Sequence, residues 1–479
     1  MAYQKERNRS NPYINLLTMG VSMVLFMLYL YAILSIRNSQ SGQPMLVLLM
    51  LIQLTPAIIV LTRRKFNFII FVMLNQFIVF SVAKWNQLMN ISKSQVVSDA
   101  SMLAIREMIY CSLLIIGSYY ATRVLFIRRS PETHRFQMFT LSRRQYFWFG
   151  FYAFSQPLFA YMLPESLYVL HLLSSYAAII LIFCSKTDSE VFERWVKGSI
   201  IASGFYSFLK FGSLSTLGSL ASLFFVISFI QWRWSNFMIL VVLGFTGVAI
   251  QTVKADYRFI NLESSLSTSQ QISLLGNLLY LKFTNDKTAP VLLSQTGEES
   301  SELEPVEDPN VSESLAKGFA RIGDDSLERV LTWTPSRVPF WEGETYSHIP
   351  YMFIPRVLWP GKPRRELWNK FGRVYGYLSA NDETTSVGVN FLGEAYMNFG
   401  FGGLYAVACL FGSMVALMEA LCYVFIPAHS YFCFLCFMLP FINYGLDLSS
   451  IINGVVLVLS VMFVVRYRLL DLIQRDVYT

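Results

Sequence analysis

The sequence predicts an all-α polytopic membrane protein, with about twelve transmembrane helices and a large extracytoplasmic loop domain between helices nine and ten. Three observations carry that expectation. Of 479 residues, 54% are hydrophobic and only 14% are charged. Apolar runs of spanning length recur from end to end, and the hydrophilic residues gather into short gaps and one long one.

The first run, INLLTMGVSMVLFMLYLYAILSI (14–36), follows Lys5, Arg7 and Arg9 as a signal peptide would. It is too long for a signal and lacks a small-x-small cleavage site, so it reads as an uncleaved first helix. Further runs fall at 45–62, 66–83, 102–121, 146–163, 166–185, 199–213, 215–231, 236–253, 400–425, 430–447 and 451–466. The basic stretches at 63–65, 122–145 and 466–475 then share one side of the membrane, which the positive-inside rule assigns to the cytoplasm. Both termini are expected there, and the long gap faces outward. The chain divides into membrane helices over 1–253, the outer segment over 254–398, and further membrane helices with a cytoplasmic tail over 399–479.

The net charge of +7 sits mostly in the short gaps, where topology explains it, so nucleic acid is not an expected partner. All six cysteines lie within apolar runs, and CFLC (433–436) lacks a second pair or a polar setting. They read as buried thiols and not as a disulfide or metal framework.

The outer segment is not uniform. TGEESSELEPVEDPNVSES (296–314) is acidic and almost free of large apolar groups, the composition of a flexible insert. From Arg321 to Gly403 aromatic, proline and basic residues take over, which suggests a folded cap of short helices and turns. Between Arg329 and Arg373 stand Arg329, Arg337, Arg356, Lys362, Arg364, Arg365, Lys370 and Arg373, against Glu342, Glu344 and Glu366. Guanidinium forks match phosphate oxygens in pairs, so this excess suits a diphosphate; anionic headgroups or a solvated face are the plainer reading.

Trp333, Trp341, Trp359 and Trp368 suit either a membrane-interface belt or stacking on sugar rings. Pro350, Pro355, Pro360 and Pro363 prevent one continuous helix and hold IPRVLWPGKP in a turning path. Lys254 and Arg258, spaced i, i+4, close the preceding apolar run. Glu394, at the entry of the next one, requires either a cationic partner or proton chemistry. Gly400, Gly402 and Gly403 suggest close helix packing, since no lysine-serine follows them as a nucleotide cradle needs. His348, Arg106, Glu107, Lys210 and Asp447 are further ionisable groups close to the membrane. No H-E-x-x-H, no G-x-S-x-G and no acidic pair with metal-ligand spacing is present, so no metal site is expected.

Three elements carry a family resemblance: P-x-x-x-G-x-T-Y through Pro339, Gly343, Thr345 and Tyr346; P-R-x-L-W-P-x-K-P over 355–363; and G-E-x-Y-x-N-F-G over 393–400. With VKADYR (253–258), they resemble the Wzy-type polysaccharide repeat-unit polymerases, relatives of the O-antigen polymerases, over roughly 150 residues. The resemblance implies a multi-spanning C-type glycosyltransferase of the bacterial inner membrane, joining undecaprenyl-pyrophosphate-linked oligosaccharide units at the outer face. It implies inversion at the anomeric centre, no metal and no cofactor. The partners it implies are the lipid-linked oligosaccharide, membrane lipids and a chain-length regulator protein.

On that reading the departing diphosphate is held by Lys254, Arg258, Arg321, Arg329 and Arg356, fixed charges in a partly dry site. Glu394, or secondarily Asp382, accepts the proton of the attacking sugar hydroxyl. Trp341, Tyr346 and Trp359 contact sugar. A lipid-linked glycan flippase, an O-antigen ligase-like transferase and a non-catalytic scaffold of an assembly complex are the alternatives.

Overall fold

The computed structural model describes residues 43–63, 68–90, 98–126, 139–162, 185–211, 268–284, 325–352, 367–382, 387–425 and 445–464, with isolated positions between 178 and 257 and Trp359. These residues are overwhelmingly helical. Helix α1 (Gln43–Arg63) is followed by α2 (Ile69–Gln76), which runs through a π-helical turn (Phe77–Val82) into α3 (Ala83–Asn90). Helix α4 spans Asp99–Phe126, with the Ser98 hydroxyl accepting the Ser101 N–H at 3.2 Å as its N-cap.

Two-residue strands β1 (Phe139–Thr140) and β2 (Ser185–Lys186) pair in parallel and launch α5 (Arg143–Met162) and α6 (Glu190–Phe211) side by side. Ser142 and Gln145 form a reciprocal cap at the start of α5: Ser142 N–H donates to Gln145 Oε1 at 3.1 Å, and Gln145 N–H to Ser142 Oγ at 3.3 Å. Tyr146 packs on Phe192, and Gly150 admits Val196, so the two helices run parallel. Helix α7 (Thr268–Thr284) meets the end of α6 in a small cluster in which Phe208 stacks on Tyr257 at 5.3 Å.

The outer segment contributes α8 (Ser326–Trp333), a 3₁₀ turn (Tyr346–His348) leading into the short α9 (Ile349–Met352), and α10 (Leu367–Val374). Helix α8 stops where Thr334 turns extended before Pro335. Helix α10 ends at Gly376, whose φ of 71° no side chain favours. The chain continues with α11 (Phe391–Phe425) and α12 (Leu448–Val464).

The expectation of about twelve spanning helices does not hold. Among the described residues two helical stretches, Asp99–Phe126 and Phe391–Leu421, are long and apolar enough to cross a membrane; Gln43–Ile59 and Ile69–Trp85 are apolar but shorter. The physical reason is that hydropathy does not distinguish lipid from protein interior. About half of each long stretch is buried against the rest of the chain, 50% and 56% respectively. The runs expected at 146–163 and 199–213 are diluted by the polar groups their helices contain: Arg143, Arg144, Ser155 and Gln156 in α5, and Glu190, Glu193, Arg194, Lys197 and Lys210 in α6. The expected spans at 14–36 and 215–231, all but the last three residues of that at 430–447, and the acidic insert lie outside the described residues.

Helices α4 and α11 form the central pair. Contacts between Glu107 and Tyr405, Ile115 and Gly412, and Tyr119 and Glu419 ascend in the same order on both, so the pair is parallel. At its far end the buried Glu419 accepts hydrogen bonds from the Tyr119 hydroxyl, the Phe68 N–H at 3.4 Å and Arg123 at 3.4 Å. That cluster draws α2 onto the pair. Farther along, Ser112 bonds Gln76 at 3.2 Å, and Ser81 bonds Gln53 at 2.6 Å.

Gly412 sets how closely the pair approaches, because a Cβ there would collide with the Ile115 carbonyl and the Ser118 hydroxyl. Gly412→Ala is therefore expected to lower stability by about 1–3 kcal/mol through overpacking. Gly402→Ala, where a Cβ meets nothing within 4 Å, serves as the neutral control. Thermal unfolding of the two purified variants checks this; equal midpoints would remove Gly412 as the spacer.

Candidate functional site

The start of α11 is where the outer segment and the central pair meet. Asn390 is fully buried and caps the helix: its Oδ1 accepts the Gly393 N–H at 2.7 Å. Its own N–H and Nδ2 both reach Ser326 Oγ, at 3.2 and 2.9 Å, which ties the first turn of α11 to that of α8. One turn on, Glu394 is also fully buried, and its Oε2 accepts the Leu448 N–H at 2.7 Å. Leu448 opens α12, so the carboxylate satisfies an amide that the helix itself leaves without an acceptor. Asp447 caps the same terminus, accepting the Ser450 N–H at 2.9 Å and the Ser449 hydroxyl. Two acidic side chains thus converge on one helix N-terminus.

Two turns into α11 the helix is broken. Gly400 has φ 65° and ψ −153°, so the regular i to i+4 bonding lapses across it. The outer segment fills the gap. Trp341 N–H donates to the Met397 carbonyl at 3.0 Å, and Gly343 N–H donates to Asn398 Oδ1 at 3.0 Å. Asn398 Nδ2 in turn donates to Thr345 Oγ1 and to the Glu394 carbonyl, each at 2.8 Å.

Shape enforces the same fit. Gly343, at φ 87°, would place a Cβ 3.0 Å from Phe399, and a Cβ on Gly400 would lie 3.3 Å from Phe340. The Tyr346 ring tilts onto Phe399 with centroids 5.7 Å apart. Its hydroxyl is buried with no hydrogen-bond partner among the described residues. Burial pushes that phenol well above its ordinary range, and the nearby carboxylates of Glu394 and Asp447 push it further.

Around this latch the cations are held by rings and carboxylates. Lys84 of α3 pairs with Glu328 of α8, whose other oxygen accepts from Ser101 Oγ at 2.6 Å. Arg329 lies over the Trp333 and Tyr377 rings, 5.2 Å from each, and Arg337 lies 5.1 Å over Trp333. Lys370 sits 4.6 Å over Trp341 and pairs with Glu344 at 2.6 Å. Tyr396 donates to the Thr334 carbonyl at 3.2 Å, and Thr334 shares a 2.6 Å bond with Tyr375. Burial pushes the Tyr375 phenol up to about 12.

Of the residues singled out in the sequence, the structure brings Glu394, Trp341 and Tyr346 together at the latch. Arg329 stands on α8 beside it. Asp382 is half-buried in a turn after α10, where its carbonyl accepts from Asn369 Nδ2 at 2.8 Å and its N–H donates to the Ser379 carbonyl at 3.1 Å. Trp359 is half-buried. Lys254, Arg258, Arg321 and Arg356 lie outside the described residues. Sequence reasoning missed Asn390 and the Lys84–Glu328 pair, and it gave no role to Thr345 and Asn398 although both lie in the resembling elements. The signal for Asn398 was present: an amide inside a helix-forming apolar run needs partners for four hydrogen-bonding sites. Among the described residues no three His, Cys, Asp or Glu side chains group to hold a metal ion.

A family model described as a domain of unknown function (DUF8712) matches residues 324–473. It takes in α8, the latch, α11 and α12, and covers less than half of the chain. No curated protein and no solved structure matches the chain.

Replacing Asn398 with alanine leaves the Gly343 N–H without its acceptor and Thr345 without its donor, in a buried place. The expected loss is about 1–3 kcal/mol per orphaned group, enough to loosen the outer segment from α11. Limited proteolysis between 340 and 350 reads that loosening; an unchanged cleavage rate would show that the ring packing of Tyr346 on Phe399 is the true fastener.

Proposed function

We propose that this chain is a polymerase that joins undecaprenyl-pyrophosphate-linked oligosaccharide repeat units into a polysaccharide. The observation that supports this best is the latch itself. Two of the three elements shared with repeat-unit polymerases, 339–346 and 393–400, lie 54 positions apart counted from Pro339 to Gly393 in sequence, yet they interlock through Asn398 around the buried carboxylate of Glu394. The chain then sits in a bacterial inner membrane with both termini cytoplasmic and the latch on the outer face.

In the reaction, the growing glycan leaves its lipid diphosphate and is attacked by the far-end hydroxyl of an incoming unit. Negative charge develops on the departing diphosphate, and fixed cations stabilise it; Arg329 stands by the latch, and Lys254, Arg258, Arg321 and Arg356 are the remaining candidates. A guanidinium held over two rings keeps its charge in one place, and its fork of N–H donors is the chemistry a phosphate needs. The attacking hydroxyl loses its proton to a carboxylate, Glu394 first and Asp382 second. Trp341, Tyr346 and Trp359 supply ring faces for sugar.

A transporter of lipid-linked glycans is the second reading, favoured by one observation: α11 is broken at Gly400, and α4 and α11 bury Glu107 and Glu419 along their length. The two readings separate cleanly. Purified protein in nanodiscs, given lipid-linked repeat units with EDTA present, is expected to produce a ladder of multiples on a gel. Glu394→Gln keeps an oxygen for the Leu448 N–H but accepts no proton, so it is expected to slow the ladder by a factor of roughly 100 to 10,000. Unaltered elongation by Glu394→Gln would transfer the base role to Asp382. Lipid-linked units crossing a proteoliposome bilayer with no ladder would replace the polymerase by the transporter.

A further inference from the structure

The polymerase reading leaves Arg106 without a task. Arg106 lies on α4 about two turns from its start, roughly 10 Å along the helix from Asp99. Its Nε and one Nη bind the same oxygen of Glu107, each at 3.0 Å. The other Glu107 oxygen accepts the Tyr405 hydroxyl at 2.6 Å, from α11. The Glu107 side chain is 2% exposed, whereas the Arg106 side chain is 50% exposed. A buried carboxylate, itself fixed across the central pair, thus holds a guanidinium facing outward, part-way down a candidate span where a cation is costly.

The surface below Arg106 is apolar. Tyr110 and Leu113, at i+4 and i+7, continue its face with 47% and 51% exposure, and Phe401 of the neighbouring α11 is also exposed. Tyr405 is braced by the edge of Tyr110 and the face of Phe401. A fixed cation heading an apolar stripe has the charge and shape to match a lipid with an anionic head and a hydrocarbon tail.

Position then chooses between the two lipids of the reaction. Tyr405 follows Glu394 by eleven residues across the break at Gly400, a stretch that an unbroken helix would spread over about 16 Å. An oligosaccharide bridges that distance; a single glycosidic bond does not. The diphosphate leaving group must lie at the bond being broken, but the incoming unit is attacked through at its far end, several sugars from its own lipid.

On the strength of the polymerase reading, we propose that Arg106, braced by Glu107 and Tyr405, seats the lipid diphosphate of the incoming acceptor unit, whose far-end hydroxyl reaches Glu394. The donor diphosphate is held separately, by the cations of the outer segment. Arg106 is a binding group and takes no part in proton transfer.

The test uses full-length protein in neutral-lipid nanodiscs, with undecaprenyl diphosphate and phosphatidylglycerol as probes and native mass spectrometry as readout. Two undecaprenyl diphosphates per chain are expected. Arg106→Gln combined with Glu107→Gln avoids leaving a buried carboxylate without its cation and keeps an oxygen for the Tyr405 hydroxyl; it is expected to bind one, with affinity at the lost site reduced about tenfold or more. Arg106→Lys is expected to restore part of it. Elongation by the double variant should show a raised KM for lipid-linked units with kcat little changed. A double variant that still binds two, or a seat that phosphatidylglycerol fills equally well, overturns the proposal while leaving the polymerase intact. Two bound lipid diphosphates lost to one in the variant, but no ladder from the parent protein, sinks the polymerase and the acceptor assignment and leaves a lipid-diphosphate seat.

Discussion

A helix interrupted in an apolar setting leaves backbone donors and acceptors that water cannot serve, and each one left unmet costs several kcal/mol in hydrocarbon. The break at Gly400 is tolerated because the segment 340–346 supplies the missing partners, with Trp341 taking the Met397 carbonyl and Asn398 turning both ends of its amide to use. Most of the described outer segment follows from this. Once Gly343 and Thr345 are docked, Trp341 lies where Lys370 of α10 can cover it, and Tyr346 is pressed onto Phe399. The break and the cap are one structural device.

The central pair gives that device a rigid base. Parallel helices slide easily past one another when only apolar side chains meet. Here buried carboxylates fix the register: Glu107 to Tyr405 in the upper half and Glu419 to Tyr119 at the far end. Gly412 lets the backbones close up between them. Each acid is satisfied by hydroxyl or amide donors as well as by a cation, the condition under which a buried charge is retained without a large net loss. Glu394 differs: the start of α12 meets its Oε2, while its Oε1 is buried with no hydrogen-bond partner among the described residues. A displacement of α12 therefore alters the setting of Glu394, which couples the packing of the last helix to the latch.

Much of this was legible in the chain, and the remainder was hidden for physical reasons. The helical class and the start of a helix just ahead of Glu394 follow from local chemistry, which a sequence displays directly. The number of spanning helices does not: Ile105, Met108 and Ile115 are apolar because α11, α2 and their neighbours cover them, and lipid would have demanded the same residues. The latch was half legible. Its two strands of sequence stood out as motifs, but that Gly343 meets Asn398 is a pairing across 55 positions, which no periodicity encodes. Lys84 and Glu328, 244 positions apart, were invisible for the same reason.

The arrangement of cations changes what the basic outer segment means. A cluster of arginines in sequence suggests a diffuse positive patch, mobile and readily screened. In the structure Arg329 and Arg337 both lie over Trp333, and Lys370 is held between Trp341 and Glu344, so each charge is fixed by a ring it covers. Fixing a cation before its anion arrives removes reorganisation from the moment of reaction, and that is where preorganised charge gains its effect. Arg106 follows the same logic with a carboxylate in place of a ring, and it lies farther along the central pair than the latch. Two fixed cationic levels, separated along one helix pair, suit the proposed reaction, whose two substrates would carry the same diphosphate but present opposite ends of their glycans to each other.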